Sequence, residues 1–357
     1  MATSKKIVMA AAGGGETELF SFTSFTFTAA GVTGKDGPSL ATLLAHSTYS
    51  SKTSTNTWLT NTSYFNMSTT GIQQFTVPIS GTYRIRAIGG SGGQHTGTFY
   101  PAFPGAGANI IADFSLSQND VLNIVVGQQP SAVNGVSSTI NGSAGGGGSW
   151  VYTGSIGGSG LIICAGGGGG TGHGSSSSPA TGGNGRGGNN ANTSNESGSI
   201  ATYGVNSRTG NRQCGNKGTG EGGKSTLTGG NTLTYGGSGG GAGWNSDGDD
   251  YVSRSAYGGD RFVGGVGDVG GHSNGGFGGG GGSGGGGNAG GGGGGYTGGG
   301  AGDGYATVAS SKNSWGGGGG GGSFVKSGAT NSTLTQGNSG INYSDTTNGS
   351  VYIEKIA

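Results

Sequence analysis

Hydrophobic and polar residues alternate along the first part of the chain with the period of two that is typical of β-strands. In the segment 82–88, Tyr83, Ile85 and Ala87 fall on one face and the two arginines fall on the other. Runs of strand-forming residues bounded by turn residues also predict strands at 25–27, 71–77, 108–116, 121–126, 161–165 and 350–356. The run at 161–165 is apolar throughout, so Cys164 inside it is predicted to be a buried free thiol.

Helical periodicity is nearly absent, and only 39–45, after Gly37-Pro38, predicts a helix of one or two turns. The last predicted strand comes from the C-terminus, after a long glycine-rich stretch. We therefore predict an all-β, antiparallel sandwich that is discontinuous in sequence. Its predicted boundaries are residues 21–165 together with 347–357. Residues 166–346 form the glycine-rich insertion, and residues 1–20 form a separate N-terminal peptide.

Glycine accounts for 95 of the 357 residues, a share that usually indicates disorder or low complexity. Disordered chains are normally charged and poor in aromatic residues. This chain has only 9% charged residues and keeps 13 Tyr, 12 Phe and 4 Trp, which favours a folded protein. The longest glycine runs are 145–148, 166–170, 278–282, 284–287, 290–295 and 316–322.

An ordered form of such runs is the polyglycine II helix, which has three residues per turn and no internal hydrogen bonds. Its N–H and C=O groups point outward and need partners, and glycine allows neighbouring backbones to approach closely enough to provide them. We predict a bundle of such helices, since only a cooperative bundle offsets the entropy lost by ordered glycine. Gly280, Gly286, Gly293 and Gly319 are the predicted scaffold glycines.

The spacers between the runs become loops clustered at the tips of such a bundle, and residues 171–230 and 243–276 are the longest. Loops on a rigid scaffold are common positions for recognition residues. The second loop mixes aromatic and charged residues, as carbohydrate- or protein-binding surfaces do. An equally weighted alternative is that these residues pack the loop against the bundle. The candidate receptor-binding residues are Trp244, Asp247, Tyr251, Arg254 and Tyr257.

No cofactor, metal or catalytic site is predicted, and the chain is not expected to be an enzyme. Its histidines are scattered, and its G-x-G-x-x-G matches lie in polyglycine rather than in a βαβ unit. The segment 245–250 loosely resembles a calcium loop but lacks the glutamate that should follow.

A net charge of +1 and a single Arg-Gly-Gly, at 186–188, argue against nucleic-acid binding. The N-terminal apolar patch is too short for an export signal or a membrane span.

One ordered series of motifs resembles the glycine-rich extracellular region of the anaplastic lymphoma kinase and leukocyte tyrosine kinase receptors. The likeness extends from residue 25 to 356, and its order is more specific than glycine content. The matching residues are the stretch 25–40, Tyr49, Trp58, 72–77, 81–85, Gly89-Gly90, 125–129, 161–170 and 277–296.

This resemblance implies a jelly-roll sandwich related to tumour necrosis factor that carries a polyglycine II bundle. The chain differs from that family because no signal peptide, membrane span, kinase or cysteine-rich module is recognisable. Its opening, residues 5–15, instead resembles the start of bacteriophage virion proteins. Phage-encoded copies of the module resemble tail-fibre or virion appendage proteins, some of which bind receptors through loops on polyglycine II bundles.

The resemblance therefore implies a virion protein that attaches to other virion proteins through residues 1–20 and contacts a glycan or protein on the host cell surface. A trimer is expected by analogy with tail fibres, although the receptor relatives keep sandwich and bundle within one chain. Two alternatives stay open: a passive capsid or tail decoration protein, and a secreted ligand or receptor fragment of a cellular organism.

Overall fold

The computed structural model describes residues 16–93, 103–131, 142–172, 191–193, 200–202, 220–225, 237–251, 256–267, 273–284, 289–302, 304–305, 314–337 and 347–357. In chain order the elements are β1 (Ser24–Phe27), α1 (Leu40–Ala45), α2 (Ser47–Ser50), a 3-10 helix (Thr57–Thr60), β2 (Phe65–Thr69), β3 (Ile72–Thr76), β4 (Gly81–Ile88), β5 (Asn109–Leu116), β6 (Val121–Val125), β7 (Ser149–Tyr152), β8 (Leu161–Ala165), β9 (Ala191–Thr193), β10 (Ile200–Thr202), β11 (Gly304–Tyr305), β12 (Ser314–Trp315), β13 (Phe324–Val325), β14 (Thr330–Thr335) and β15 (Ser350–Lys355).

The short helix α1 lies where the sequence places it. Ser39 precedes it, and the Ser39 hydroxyl accepts a hydrogen bond from the Thr42 amide at 3.1 Å, which caps the first turn. Leu43 is the buried residue of this helix. One turn of helix with one buried contact does not change the class of the fold, which is all-β.

A five-stranded antiparallel sheet has the order β1-β15-β4-β5-β14. The C-terminal strand β15 lies between β1 and β4, with Ile353 opposite both Phe25 and Ile85. The predicted closing strand is thus confirmed, and it lies inside the sheet rather than at its edge. This arrangement joins the two ends of the described chain in one sheet.

A second antiparallel sheet has the order β2-β3-β6-β7-β8-β13-β10-β9 and faces the first across a hydrophobic core. Tyr83, Ile85 and Ala87 of β4 are fully buried in that core, as their alternation predicts. Every residue of β7 and β8 is buried, because the second sheet is covered on both of its faces. The protein is therefore an antiparallel β-sandwich.

The core of the sandwich is rich in aromatic rings that pack at angles. Trp58 contacts Phe25 edge-on with ring centroids 5.1 Å apart, and it contacts Phe75 in the same way at 5.2 Å. Behind these rings, the buried Tyr49 hydroxyl donates to Gln73 at 2.7 Å, and burial raises the pKa of Tyr49 to about 12. Large rings fill the space between two sheets with few residues, which suits a chain low in aliphatic side chains.

The sandwich and the glycine-rich part interleave along the chain more than the predicted boundaries of 165 and 347 suggest. Strand β14 lies within the predicted insertion but pairs with β5 of the sandwich. Conversely, glycine segments at 89–93 and 142–148 come from the predicted sandwich, yet they bond to the run 166–172. The reason is that several glycine segments directly continue strands, so the chain passes from the sandwich into the glycine-rich part and back more than once.

The first described residues, Glu16 and Thr17, and the glycine segments that continue β4 and β5 lie at opposite ends of the sandwich. Glu16 accepts a hydrogen bond from the Ser80 amide, just before β4, and the Thr17 carbonyl accepts one from Gln118, just after β5. The glycine segments instead continue from the other ends of these two strands, at Gly89 and Gly107. Residues 1–15 of the predicted attachment peptide lie outside the described residues.

Candidate functional site

The glycine segments form a hydrogen-bonded lattice in which backbones bond directly to one another. Its clearest member is the run 289–295, which we call the central run. Each amide from Gly290 to Gly295 donates to a carbonyl of a different segment, at 2.8–3.1 Å. The donor and acceptor pairs are Gly290 to Gly316, Gly291 to Ser143, Gly292 to Gly239, Gly293 to Gly319, Gly294 to Gly146 and Gly295 to Ala242.

These bonds repeat with a period of three. Gly290 and Gly293 donate to the run 316–322, and Tyr296 continues the series by donating to Gly322 at 2.9 Å. The two other series reach the segments 142–148 and 237–243. Successive amides of the central run therefore point in three directions, and every third amide returns to the same neighbour.

The carbonyls of the central run accept hydrogen bonds from three further segments, 166–172, 280–284 and 297–302, at 2.7–2.9 Å. The same period holds there, since the amides of Gly299 and Gly302 reach Gly293 and Gly290. Within the described residues, the central run is thus enclosed on six sides by other backbone segments. The positions from Gly290 to Gly295 therefore leave no room for side chains of their own.

The closeness of these backbones explains why the positions are glycine. A Cβ atom added at any residue from Gly290 to Gly295 would fall nearer than 3.0 Å to a backbone oxygen of another segment. Among the described glycines between 275 and 322, only Gly278 and Gly279 have φ in the left-handed region, at +103° and +87°. Those two form the turn that reverses the chain between 273–277 and 280–284. Elsewhere in the lattice glycine is needed for space rather than for an unusual φ.

The predicted scaffold glycines can be placed individually. Gly293 belongs to the central run, Gly319 accepts from it, and the Gly280 amide donates to Gly276 at 2.9 Å. An added Cβ at Gly280 would meet the carbonyl of Gly145. Gly286 lies outside the described residues.

Aromatic residues of the glycine-rich part fix the lattice to the outer face of the second sheet. Trp244 stacks on Trp150 of β7 with ring centroids 5.7 Å apart, and its Nε1 donates to the Gly158 carbonyl at 3.0 Å. Phe262 meets Trp150 edge-on at 5.4 Å. Tyr296, which ends the central run, packs on Phe324 of β13 at 4.6 Å. The outer face of this sheet is therefore a second, smaller core.

The candidate receptor-binding residues divide between buried and exposed positions. Trp244 and Tyr251 are each only 2% exposed, so they pack the loop against the fold. Asp247 is exposed and accepts from the Arg261 amide at 2.8 Å, with the Arg261 guanidinium 3.3 Å away. Tyr257 is 42% exposed. Arg254 lies outside the described residues.

The surface around Tyr257 brings together residues that are not adjacent in the sequence. The Tyr257 amide donates to the Val266 carbonyl at 2.9 Å, and the Val266 side chain is 44% exposed beside it. The Gly258 amide donates to the Asp250 carboxylate at 2.8 Å. The sequence pattern does not single out Val266, because a lone valine in a glycine-rich loop gives no signal of its neighbour.

Four aspartates lie on the segments 247–250 and 256–267, which carry this surface, and the chain itself supplies partners to three of them. Besides the Asp247 and Asp250 bonds, Lys224 lies 3.6 Å from Asp249. Burial, together with the charges of Asp247 and Asp250, raises the pKa of Asp260. The region 245–250 does not gather its oxygens around one point, and the described residues contain no group of three or more metal-ligating side chains.

Cys164 is a buried free thiol, as predicted, and burial raises its pKa well above the ordinary value. Cys214 lies outside the described residues. No helix in the described part of the chain has the length and apolar character needed to cross a membrane. No protein-family model matches the chain, and no curated protein is similar to it.

Proposed function

We propose that this chain is a bacteriophage virion protein, a tail fibre or similar appendage, that presents host-binding loops on a rigid scaffold of polyglycine II helices. The observation that carries the scaffold part is the period of three in the bonds of the central run. A helix with three residues per turn and no internal hydrogen bonds directs its amides in this way. Neither an α-helix nor a β-strand does, since their amides bond within the helix or on two sides.

Rigidity follows from the number of bonds per residue. A flexible glycine-rich linker has no backbone partners and behaves as a random coil. In the central run every amide from Gly290 to Gly295 has a partner in another segment. Loops that emerge from such a lattice are held in place without a large hydrophobic core, which suits display of recognition residues.

The placement of the ends supports an appendage with two poles. The described N-terminal residues bond at one end of the sandwich, beside Ser80 and Gln118. The glycine lattice begins at the other end. In the proposed virion the N-terminal peptide docks on other virion proteins, and the lattice with its loops faces away from the particle. A trimer of this unit stays an expectation from the resemblance.

Two measurements test this proposal. Mass spectrometry and antibody labelling of purified phage particles should find the chain on the tail or on a capsid appendage. Presence in a cellular secretome, with no particle, would instead favour the ligand or receptor-fragment alternative. In the second measurement, the purified chain at saturating concentration should block adsorption of the phage to its host.

Loop function is best tested by point substitutions. Removing 243–276 would also remove Trp244 and the lattice segments 256–265, so the fold would be lost with the loop. Exposed residues avoid this problem. Adsorption should fall at least tenfold when Tyr257 and Asp260 are both replaced by serine. Unchanged adsorption by this folded variant would favour a passive decoration protein.

A further inference from the structure

The surface built by Tyr257, Val266, Asp250 and Asp260 has a composition that indicates a particular class of ligand. Tyr257 and Val266 are two of the five large hydrophobic residues that are exposed among the described residues. They lie on neighbouring segments joined by the hydrogen bond from the Tyr257 amide to the Val266 carbonyl. Two exposed apolar side chains thus belong to hydrogen-bonded residues of an otherwise polar loop surface, and we call this pair the apolar platform.

The backbone under this platform is fixed on both sides. The Tyr257 amide is bonded to Val266, and the Tyr257 carbonyl accepts from Gly282 of the lattice at 3.0 Å. A tyrosine side chain has only two rotatable angles, so its ring is presented at a small cost in conformational entropy. The platform is therefore preorganised for a partner.

Two carboxylates lie close to the backbone that carries Tyr257. Asp250 is bonded to the Gly258 amide, next to Tyr257, and its side chain stays exposed. Asp260 is exposed too and interacts electrostatically with Asp250 and Asp247. Carboxylates accept hydrogen bonds and donate none, so a ligand here needs an apolar face together with several hydrogen-bond donors.

We propose that this surface binds an uncharged sugar. The C–H face of the sugar ring packs on Tyr257 and Val266, and the sugar hydroxyls donate hydrogen bonds to Asp250 and Asp260. The proposal rests on the proposed host-binding function and names its ligand class. The local charge argues against anionic glycans, because four aspartates (Asp247, Asp249, Asp250 and Asp260) outnumber the described cations near them, which are Arg261, Lys224 and, acting electrostatically on Asp260, Lys35. A protein partner is less suited, since two exposed apolar side chains are far fewer than the roughly 20 residues a side of a stable protein interface.

Binding of the purified chain to an array of neutral hexose and N-acetylhexosamine oligosaccharides, with sialylated and sulfated ones beside them, tests the ligand class. We expect retention of one or more neutral oligosaccharides. Titration calorimetry with the retained sugar should then show at least a tenfold weaker Kd for Tyr257→Ser and about a threefold to tenfold weaker Kd for Asp260→Ala. Tyr257→Phe should bind within about twofold of the original chain, because the ring is retained.

The matched control is Val121→Ser, which removes an equally exposed apolar side chain from the sandwich. It should leave the Kd unchanged, and melting temperatures should confirm that all variants fold. Retention of anionic sugars alone, no retention at all, or equal Kd values for Tyr257→Ser and the original chain would overturn the sugar assignment. If no sugar binds but Tyr257→Ser still impairs adsorption, the sugar assignment fails while the host-binding function stands.

Discussion

At the scale of single residues, glycine acts here by the absence of a side chain. In the central run the six glycines from 290 to 295 leave room for six neighbouring segments, and each amide finds a partner. Charged side-chain pairs have a different role. On the outer face of the five-stranded sheet, Arg84 donates through Nε and Nη2 to Asp113 at 2.8 and 2.9 Å, and the Asp113 side chain is only 1% exposed.

Gly293→Ala should destabilise the protein by about 3 kcal/mol, because the new Cβ would meet the carbonyl of Gly167 and neither backbone can move alone. Gly154→Ala is the matched control. Gly154 has φ of +70° but no atom within 4 Å of an added Cβ, so its loss should be about 1–2 kcal/mol from backbone strain alone. Urea denaturation measures both. Equal losses would show that the lattice adapts to a methyl group.

The Arg84–Asp113 pair should make stability depend on pH. Its hydrogen bonds with Arg84 lower the pKa of Asp113 in the folded protein. The resulting stabilisation is present above the unfolded pKa of about 3.9 and is lost as pH falls through the folded pKa. Arg84→Met should therefore lower the melting temperature most at pH 7, and the difference from the original chain should shrink below about pH 4.

Arg86→Met is the control for this prediction. Arg86 lies on the same strand but donates to the uncharged Asn109, at 2.9 Å, so its effect on the melting temperature should not change with pH. A constant Arg84→Met effect from pH 7 to pH 3 would show that the Asp113 carboxylate does not carry the stabilisation.

At the scale of elements, alternating or continuous apolar residues were sufficient to predict β4, β5, β8 and β15, since each strand has one or two apolar faces. The pattern could not predict which glycine segments bond to one another, because glycine carries no side chain that specifies a partner. The aromatic residues provide that information in three dimensions. Trp244 and Phe262 on Trp150, and Tyr296 on Phe324, set where each segment meets the sheet. The burial of Trp244 could not be predicted either, because the sequence of its loop does not show that the ring meets Trp150.

Trp244→Ala should lower the free energy of unfolding by about 3–5 kcal/mol, as expected for removal of a large buried ring, here the one stacked on Trp150. Tyr257→Ala, in the same loop but exposed, should change it by less than about 0.5 kcal/mol. Chemical denaturation followed by circular dichroism distinguishes them. A small effect of Trp244→Ala would mean that the lattice does not depend on the aromatic contacts with the sheet.

At the scale of the whole molecule, a sandwich with an ordinary hydrophobic core is combined with a lattice whose cohesion is almost entirely backbone hydrogen bonding. Each such bond contributes on the order of 1 kcal/mol net, and ordering each glycine costs a comparable amount. The lattice is therefore stable only as a cooperative unit fixed to the sheet. A rigid body of this kind, with its described N-terminal residues at the far pole, supports the proposed role as a display scaffold.

Hydrogen exchange of the central run tests this account most directly. A peptide covering 289–296 should retain most of its amide hydrogens for hours at neutral pH, because all amides from Gly290 to Tyr296 donate to other segments. The turn Gly154–Gly160 is the internal reference, since its residues are mostly exposed and should exchange rapidly. Exchange of 289–296 within seconds, as in an unfolded glycine-rich chain, would contradict the lattice and the scaffold function with it.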